Sequence, residues 1–264
     1  MSDIKIQNVC HTYNTNSGPL HVLDQLDLEI GDGDFVAVVG PSGCGKSTLT
    51  KLVAGLLIPD EGDVMLDGER VKGPRSNVGM AFQNPVLLEW RTIEQNILLP
   101  LEIVKGHGLD ARQRKERVSE LLAMVGLEGF ENKRPSELSG GMRQRASLCR
   151  ALVHRPEVLI LDEPFGALDA FTREDLWVVM RELRRQEKFT CMLITHDLRE
   201  SVYLADRVVV LSGRPGGTQY VQDVDLPEDR GLDVLFKPEA ISMLADLREQ
   251  IAIGQKRQTI GEAV

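Results

Sequence analysis

No stretch of this chain approaches the ~18 to 20 consecutive apolar residues of a membrane-spanning helix. The nearest, NILLPLEIV at 96–104, is too short and is broken by a proline, so any work at a membrane is done from outside it. The amino terminus, MSDIKIQNVC, is polar and lacks the apolar run of a secretory signal, and the chain is therefore expected to stay in the cytosol. Cysteine is scarce: Cys10, Cys44, Cys149 and Cys191 show no CxxC spacing and no obvious pairing, which suits a reducing compartment better than a disulfide framework. They read as small buried hydrophobes. Positive charge is also short, 31 lysines and arginines against 40 acidic residues for a net −9. That balance excludes a general nucleic-acid surface, so any anion site must be local. Repeats, collagen-like patterns and low-complexity segments are missing too.

What remains is a globular chain of ordinary composition. Its 264 residues are long for one average domain and short for two, which points to one large domain or a core with a small appendage.

Residues 3–30 alternate in strand fashion, most clearly in LDLEI, and the turn GDGD at 31–34 separates them from the next strand. FVAVVG at 35–40 is a continuous apolar strand of the buried parallel kind, and KSTLTKLVAGLL from Lys46 predicts a helix ending near Gly55. GDVMLDGER at 62–70 reads as a hairpin piece and VGMAF at 78–82 as a short strand. From Thr92 to about Met124 the apolar residues recur at three and four, with Ile97, Leu98, Leu101, Ile103, Val118, Leu121 and Leu122, a helical block. Met142, Ala146, Cys149 and Val153 form one helical face, PEVLILDEP at 156–164 is a second buried strand, and a helix over about 169–186 precedes the strand CMLITHD at 191–197. Such alternation argues for an α/β fold with a parallel central sheet. Beyond Ser212 come GRPGGT, some strand, and a last amphipathic helix near 238–253.

Gly40, Gly45, Lys46 and Ser47 match G-x-x-x-x-G-K-[ST] between a strand and a helix, the context that this phosphate-binding loop requires. Glycines let the backbone N–H groups of residues 42–48 turn inward around phosphate oxygens. The helix dipole adds positive potential, Lys46 reaches the β and γ phosphates, and Ser47 can ligate Mg²⁺. Asp162 and Glu163 follow the apolar run Val158–Leu161 at the carboxyl end of a buried strand, where ligands of such sheets sit. One carboxylate can hold a metal through water and the next can polarise an attacking water.

LSGGMRQR at 138–145 is a second anion site: a serine and two glycines open a helix and two arginines follow. Ser139 can cap that helix or offer its hydroxyl to a phosphate, but not both at once. On the octapeptide alone the two readings stand level.

Taken together, GPSGCGKST, Gln83 after a strand, LSGGMRQR, VLILDEP, GALD and ITHD follow one another in the order and approximate spacing of ATP-binding cassette (ABC) ATPase subunits. The chain resembles that family over roughly residues 3–225. The resemblance implies a P-loop NTPase ABC cassette with a RecA-like core, an antiparallel β subdomain and a helical subdomain at about 84–155 within an ATPase domain at 1–225. A short helical extension at 226–264, with no separate regulatory domain, completes it. It implies further that Tyr13 stacks on adenine and that Gly40, Pro41, Ser42, Gly43, Cys44, Gly45, Lys46, Ser47 and Thr48 enclose the phosphates of ATP. Gln83 is then a Mg²⁺ and water ligand that senses a membrane partner, Ser47 and Asp162 complete the metal's ligands, Glu163 is the general base, and His196 contacts the γ-phosphate. Asp169 crosses a dimer interface, and Ser139, Gly140 and Gly141 meet the ATP held by a second copy of the chain, so the resemblance implies a head-to-tail homodimer.

LLEWRTIEQNILLPLE resembles the ATPase subunits of bacterial importers in the nitrate, sulfonate and taurine group. This narrower likeness implies an integral membrane permease as partner, a solute-binding protein met indirectly, a place on the cytoplasmic face of the inner membrane, and no nucleic acid. Trp90, Leu87 and Leu88 read as exposed apolar groups of a docking surface beside Gln83, the other reading being that they fill the core of the helical subdomain. The alternative reading is a soluble ABC ATPase of cluster assembly without a permease. The solute itself is not legible, because a motor subunit contacts the permease and not the cargo.

Overall fold

The computed structural model describes residues 2–104, 108–166 and 168–261, so Ala167 of GALD and the last three residues of the 226–264 extension lie outside the described residues. In chain order the elements are β1 (Ile4–Thr15), β2 (Gly18–Ile30), β3 (Phe35–Val39), α1 (Lys46–Val53), β4 (Glu61–Leu66), β5 (Glu69–Arg70), β6 (Val78–Ala81), α2 (Ile93–Ile103) and α3 (Ala111–Met124). They continue with α4 (Gly140–Leu152), β7 (Val158–Asp162), α5 (Ala170–Glu187), β8 (Thr190–Ile194), α6 (Leu198–Leu204), β9 (Arg207–Leu211), β10 (Thr218–Asp223) and α7 (Pro238–Gly261). Single 3₁₀ turns lie at Pro135–Glu137 and Leu232–Phe236. The chain divides into two compact units, one of residues 1–75 with 189–264 and one of residues 76–188.

In the first unit an antiparallel sheet runs in the order β2-β1-β4-β5. The LDLEI alternation holds residue by residue: Leu26, Leu28 and Ile30 are buried while Asp27 and Glu29 face water. A second set of strands runs β10-β9-β3-β8, parallel except for the last hairpin between β9 and β10. β3 and β8 are buried at every position, as strands covered on both faces must be. The sequence pattern predicts neither α6 nor β9.

The last helix, α7, runs eight residues beyond the predicted end near 253, to Gly261. Among its described side chains, through 256, it buries only Ala240, Leu247 and Gly254 along a seven-residue spacing, a narrow stripe rather than a broad apolar face. That stripe packs on α6, β9 and β10.

The second unit pairs β6 and β7 in parallel, from Val78 beside Val158 to Ala81 beside Leu161. The predicted helical block at 92–124 is two helices, α2 and α3, and both pack on α4. Pro100 does not break α2, which continues to Ile103; the proline removes one intrahelical N–H and the rest of the ladder carries the helix past it. Ile97, Leu101, Val118, Leu121 and Leu122 are buried as the spacing predicts, but Ile103 is exposed. Arg117 of α3 binds Glu187 of α5 through two nitrogens at 2.6 and 2.8 Å and donates to the Leu152 carbonyl at the end of α4. Deleting one member of so buried a pair costs about 3–5 kcal/mol.

Most helices start at a side-chain cap. Thr92 and Asp110 form full capping boxes with Gln95 and Gln113, while Ser139, Asp169 and Asp197 cap α4, α5 and α6. Three of these caps belong to motifs singled out above, so the residues that carry chemistry also fix where their helices begin.

Candidate functional site

The phosphate loop lies in the first unit between the buried end of β3 and α1. Gly45 is the N-cap of α1 with φ 100°, a left-handed conformation that only glycine adopts at low cost. A Cβ there would also sit 2.5 Å from Leu23 Cδ2. Gly43 is left-handed as well, and nothing lies within 4 Å of a Cβ placed on it, so that face of the loop is open. Lys46 folds back over the loop and donates to the Gly40 and Pro41 carbonyls at 2.8 and 2.9 Å. An open, left-handed Gly43, an ammonium over the loop, an exposed Ser47 and the start of a helix fit a polyphosphate and its counter-cation.

Tyr13 reaches this loop. Its hydroxyl lies 3.3 Å from the Thr48 hydroxyl, and its ring meets His11 edge-on at 4.8 Å between centroids. Cys44 is buried, and that burial, opposed by the Lys46 charge, raises its thiol above the usual range. His196 is exposed two residues beyond β8, and the Thr195 N–H donates to the Val38 carbonyl at 3.2 Å. β3 and β8 are parallel neighbours, so Gly40 and His196 leave the sheet at the same carboxyl edge.

The sequence reading assigns no role to GRPGGT, yet it is part of this loop's support. Gly216 is pinned to β2 by hydrogen bonds of its N–H to the Val22 carbonyl and of the Asp24 N–H to its own carbonyl, and a Cβ on it would lie 1.9 Å from the Cys44 carbonyl oxygen. Only glycine lets the backbone pass so close. The one signal in the sequence is the glycine pair itself.

In the second unit Gln83 stands two residues past the end of β6 and Glu163 one residue past the end of β7, and the strands are paired. Gln83 Nε2 donates to Glu163 Oε2 at 3.2 Å, so the two residues singled out separately in the sequence meet. Glu163 has φ 47°, rare and strained for a residue with a side chain. Asp162 is half-buried at the end of β7.

Ser139 caps α4 by accepting from the Met142 N–H at 3.3 Å, so of its two possible jobs it performs the first here. Gly140 is exposed with nothing near an added Cβ, whereas one on Gly141 would meet Thr172 at 3.1 Å and Leu168 at 3.4 Å. The start of α4 thus sits against the start of α5. There Asp169 accepts from the Thr172 N–H at 3.1 Å, and hydrogen bonding from the Thr172 side chain first, and from that N–H second, holds its carboxyl below the usual range.

Gln144, inside LSGGMRQR but given no role by the sequence, is buried and donates to the Phe82 carbonyl at 3.2 Å, immediately before Gln83. Arg150 of the same helix reaches the Val86 carbonyl. Asn96 of α2 is fully buried and fixes the rest of this loop, accepting from the Leu88 N–H at 2.7 Å and donating to the carbonyls of Leu88, Arg91 and Thr92. On this fixed loop Trp90 is 72% exposed and Val86 is exposed with it. The expectation for Leu87 is corrected. It is only 7% exposed, and Leu88 is half-buried, because the loop turns where the Leu87 N–H meets the Pro85 carbonyl.

Among the described residues no group of three or more histidine, cysteine or carboxylate side chains could hold a metal, and no helix is long and apolar enough to cross a membrane.

Comparison with known proteins gives a consistent picture. The family profile described as "ABC transporter" matches residues 23–166. The chain is 43% identical over 247 residues to an uncharacterized ABC transporter ATP-binding protein, MJ0412, of Methanocaldococcus jannaschii, covering 92% of this chain and 91% of that protein. It is 43% identical over 227 residues to the aliphatic sulfonates import ATP-binding protein SsuB of Bacillus cereus, covering 86% of this chain and 88% of that one. The bicarbonate transport ATP-binding protein CmpC of Synechocystis matches at 42% identity over 92% of this chain but only 37% of its own length. Among solved structures, a dimeric post-hydrolysis state of the ATP-binding cassette MJ0796 with ADP and Pi superposes with a TM-score of 0.75. It is 30% identical and covers 85% of this chain and all of that one.

Proposed function

The chain belongs to the ABC transporter family of ATP-binding cassette ATPases, and on that premise we propose that it is the ATP-hydrolysing, energy-coupling subunit of a bacterial importer for a small solute of the nitrate, sulfonate or taurine kind. The observation that carries the coupling part of this reading is the hydrogen bond between Gln83 and Glu163. It ties the candidate base to the first residue of a fixed loop whose exposed tip is Trp90. A partner pressing on that tip moves Gln83, and with it the carboxylate that activates water.

In this reading Tyr13 packs on adenine and the N–H groups of residues 42–48 face the phosphates. Lys46 leaves its carbonyl partners for the β and γ phosphates, where it offsets charge that grows as the bond to the γ-phosphoryl breaks. Glu163 takes a proton from the attacking water, and His196 donates to the γ-phosphate. The hydroxyl of Ser47, the amide oxygen of Gln83 and the carboxylate of Asp162 are hard oxygen donors suited to Mg²⁺. Held by them, Mg²⁺ would supply positive charge that offsets the charge of the phosphates. Asp169 and Ser139, Gly140 and Gly141 serve the ATP of a second copy.

Residues 1–225 then form the ATPase domain, with its helical subdomain at about 84–155, and 226–264 its extension. The protein works at the cytoplasmic face of the inner membrane against an integral permease, with a solute-binding protein beyond it. The likeness to an aliphatic sulfonates importer over most of both chains supports this reading.

Affinity capture of the tagged chain from detergent-solubilised membranes of its own cell tests it. A polytopic protein recovered in stoichiometric amount is expected; recovery of soluble partners alone would contradict transport and favour a cluster-assembly ATPase.

A further inference from the structure

We propose that Arg230 is a positioning residue for ATP hydrolysis, locking the carboxyl end of α6 so that His196, at the other end of that helix, is held in one place. The proposal rests on the reading of His196 as the γ-phosphate contact.

His196 stands at the junction of β8 and α6. On one side Thr195 is fixed to β3 through the Val38 carbonyl. On the other, Asp197 caps α6 by accepting from the Arg199 and Glu200 N–H groups at 2.9 and 3.3 Å. The direction in which His196 points therefore depends on how α6 lies. That helix has seven residues, about 10 Å of length, too few to hold a conformation without outside support. Its last carbonyls have no donors within the helix.

Arg230 supplies them. Only 8% exposed, it donates from Nε to the Tyr203 carbonyl at 2.9 Å and from Nη2 to the Ala205 carbonyl at 2.7 Å, while Nη1 reaches Leu226 of its own segment at 3.4 Å. The Tyr203 hydroxyl returns a bond to the Arg230 carbonyl at 3.5 Å. A cation at the carboxyl end of a helix also meets its negative dipole. Near the amino end of α6 the guanidinium of Arg199 lies 5.9 Å from the centroid of the Phe236 ring, so the segment 230–236 grips α6 at both ends. A planar fork spanning two carbonyls is specific to arginine, and burying its charge merely to fill space would be costly. The extension beyond residue 225 thereby acts on the site from behind, without touching nucleotide.

Steady-state ATP hydrolysis by the full chain tests this. Arg230→Ala should lower kcat about tenfold while the KM for ATP stays within about twofold, because the phosphate loop is untouched. Arg230→Lys, which keeps the charge but meets one carbonyl at a time, should fall between. If the alanine variant does not fold, the lysine variant carries the test with the same split. A kcat at the wild-type level, or a parallel loss in kcat and affinity, would overturn the proposal. Two controls separate it from the reading beneath it. Should His196→Ala turn over normally, the role of His196 fails and the proposal with it. Where His196→Ala is impaired, adding Arg230→Ala should leave its residual rate unchanged; a further tenfold loss means that Arg230 acts through something else.

Discussion

Glu163 holds a left-handed backbone, φ 47°, at a cost of about 1 kcal/mol or more. Glycine would relieve that strain but carry no carboxylate, so the position trades stability for an oxygen that meets Gln83. Its loss as a base should be visible in isolation. Glu163→Gln is expected to bind ATP with wild-type affinity and to hydrolyse it about 10²–10⁴ times more slowly; turnover near the wild-type rate in a purified sample removes Glu163 from that role. His154, at the end of α4, gives a pH signature. Partial burial lowers its pKa from the ordinary 6.5, so the folded state disfavours the charged imidazole. Stability is full above the unfolded value and declines as the pH drops through 6.5 toward the folded value. In urea melts between pH 5 and pH 8, His154→Gln should flatten that decline, and an unchanged slope would assign it to other groups. The cysteines were legible from their absence of pattern: all four are free, three are buried and Cys10 is half-buried. Burial pushes the Cys149 thiol to about 12, so it stays an inert packing residue.

At the scale of elements, strands with a period of two and helices longer than ten residues were readable, because their apolar spacing repeats several times. α6 and β9 were not. Seven residues of helix repeat a 3.6-residue period only twice, and the five residues of β9 fall where an apolar run fits either kind of element. The pairings of Gln144 with Phe82, Asn96 with the 88–92 loop and Arg230 with α6 leave no sequence signal, since each is made by one side chain whose partners only the fold brings near. GRPGGT is the intermediate case: the glycines show a close approach, but not to what. Gly216→Ala should push a Cβ into the Cys44 carbonyl, strain the phosphate loop and weaken ATP binding by about tenfold or more, roughly 1–3 kcal/mol. Calorimetric titration with ATP checks this; unaltered affinity would show that the loop moves aside freely.

For the whole molecule the open question in the sequence was the second anion site. In a single chain Ser139 spends its hydroxyl on capping α4, while Gly140 remains exposed with space beside it. A cap without a ligand explains the serine but not the open glycine, while Arg145 of the same motif is held by the Val125 carbonyl at 3.0 Å. Two copies meeting head to tail around ATP would explain the open glycine, and a similar cassette has been solved as a dimer. The most direct measurement is sedimentation of the Glu163→Gln protein with and without ATP and Mg²⁺, repeated with Ser139→Arg added. The account predicts an ATP-dependent dimer for the first protein and, for the second, a monomer that still binds ATP; an ATP-dependent dimer that survives Ser139→Arg would contradict it.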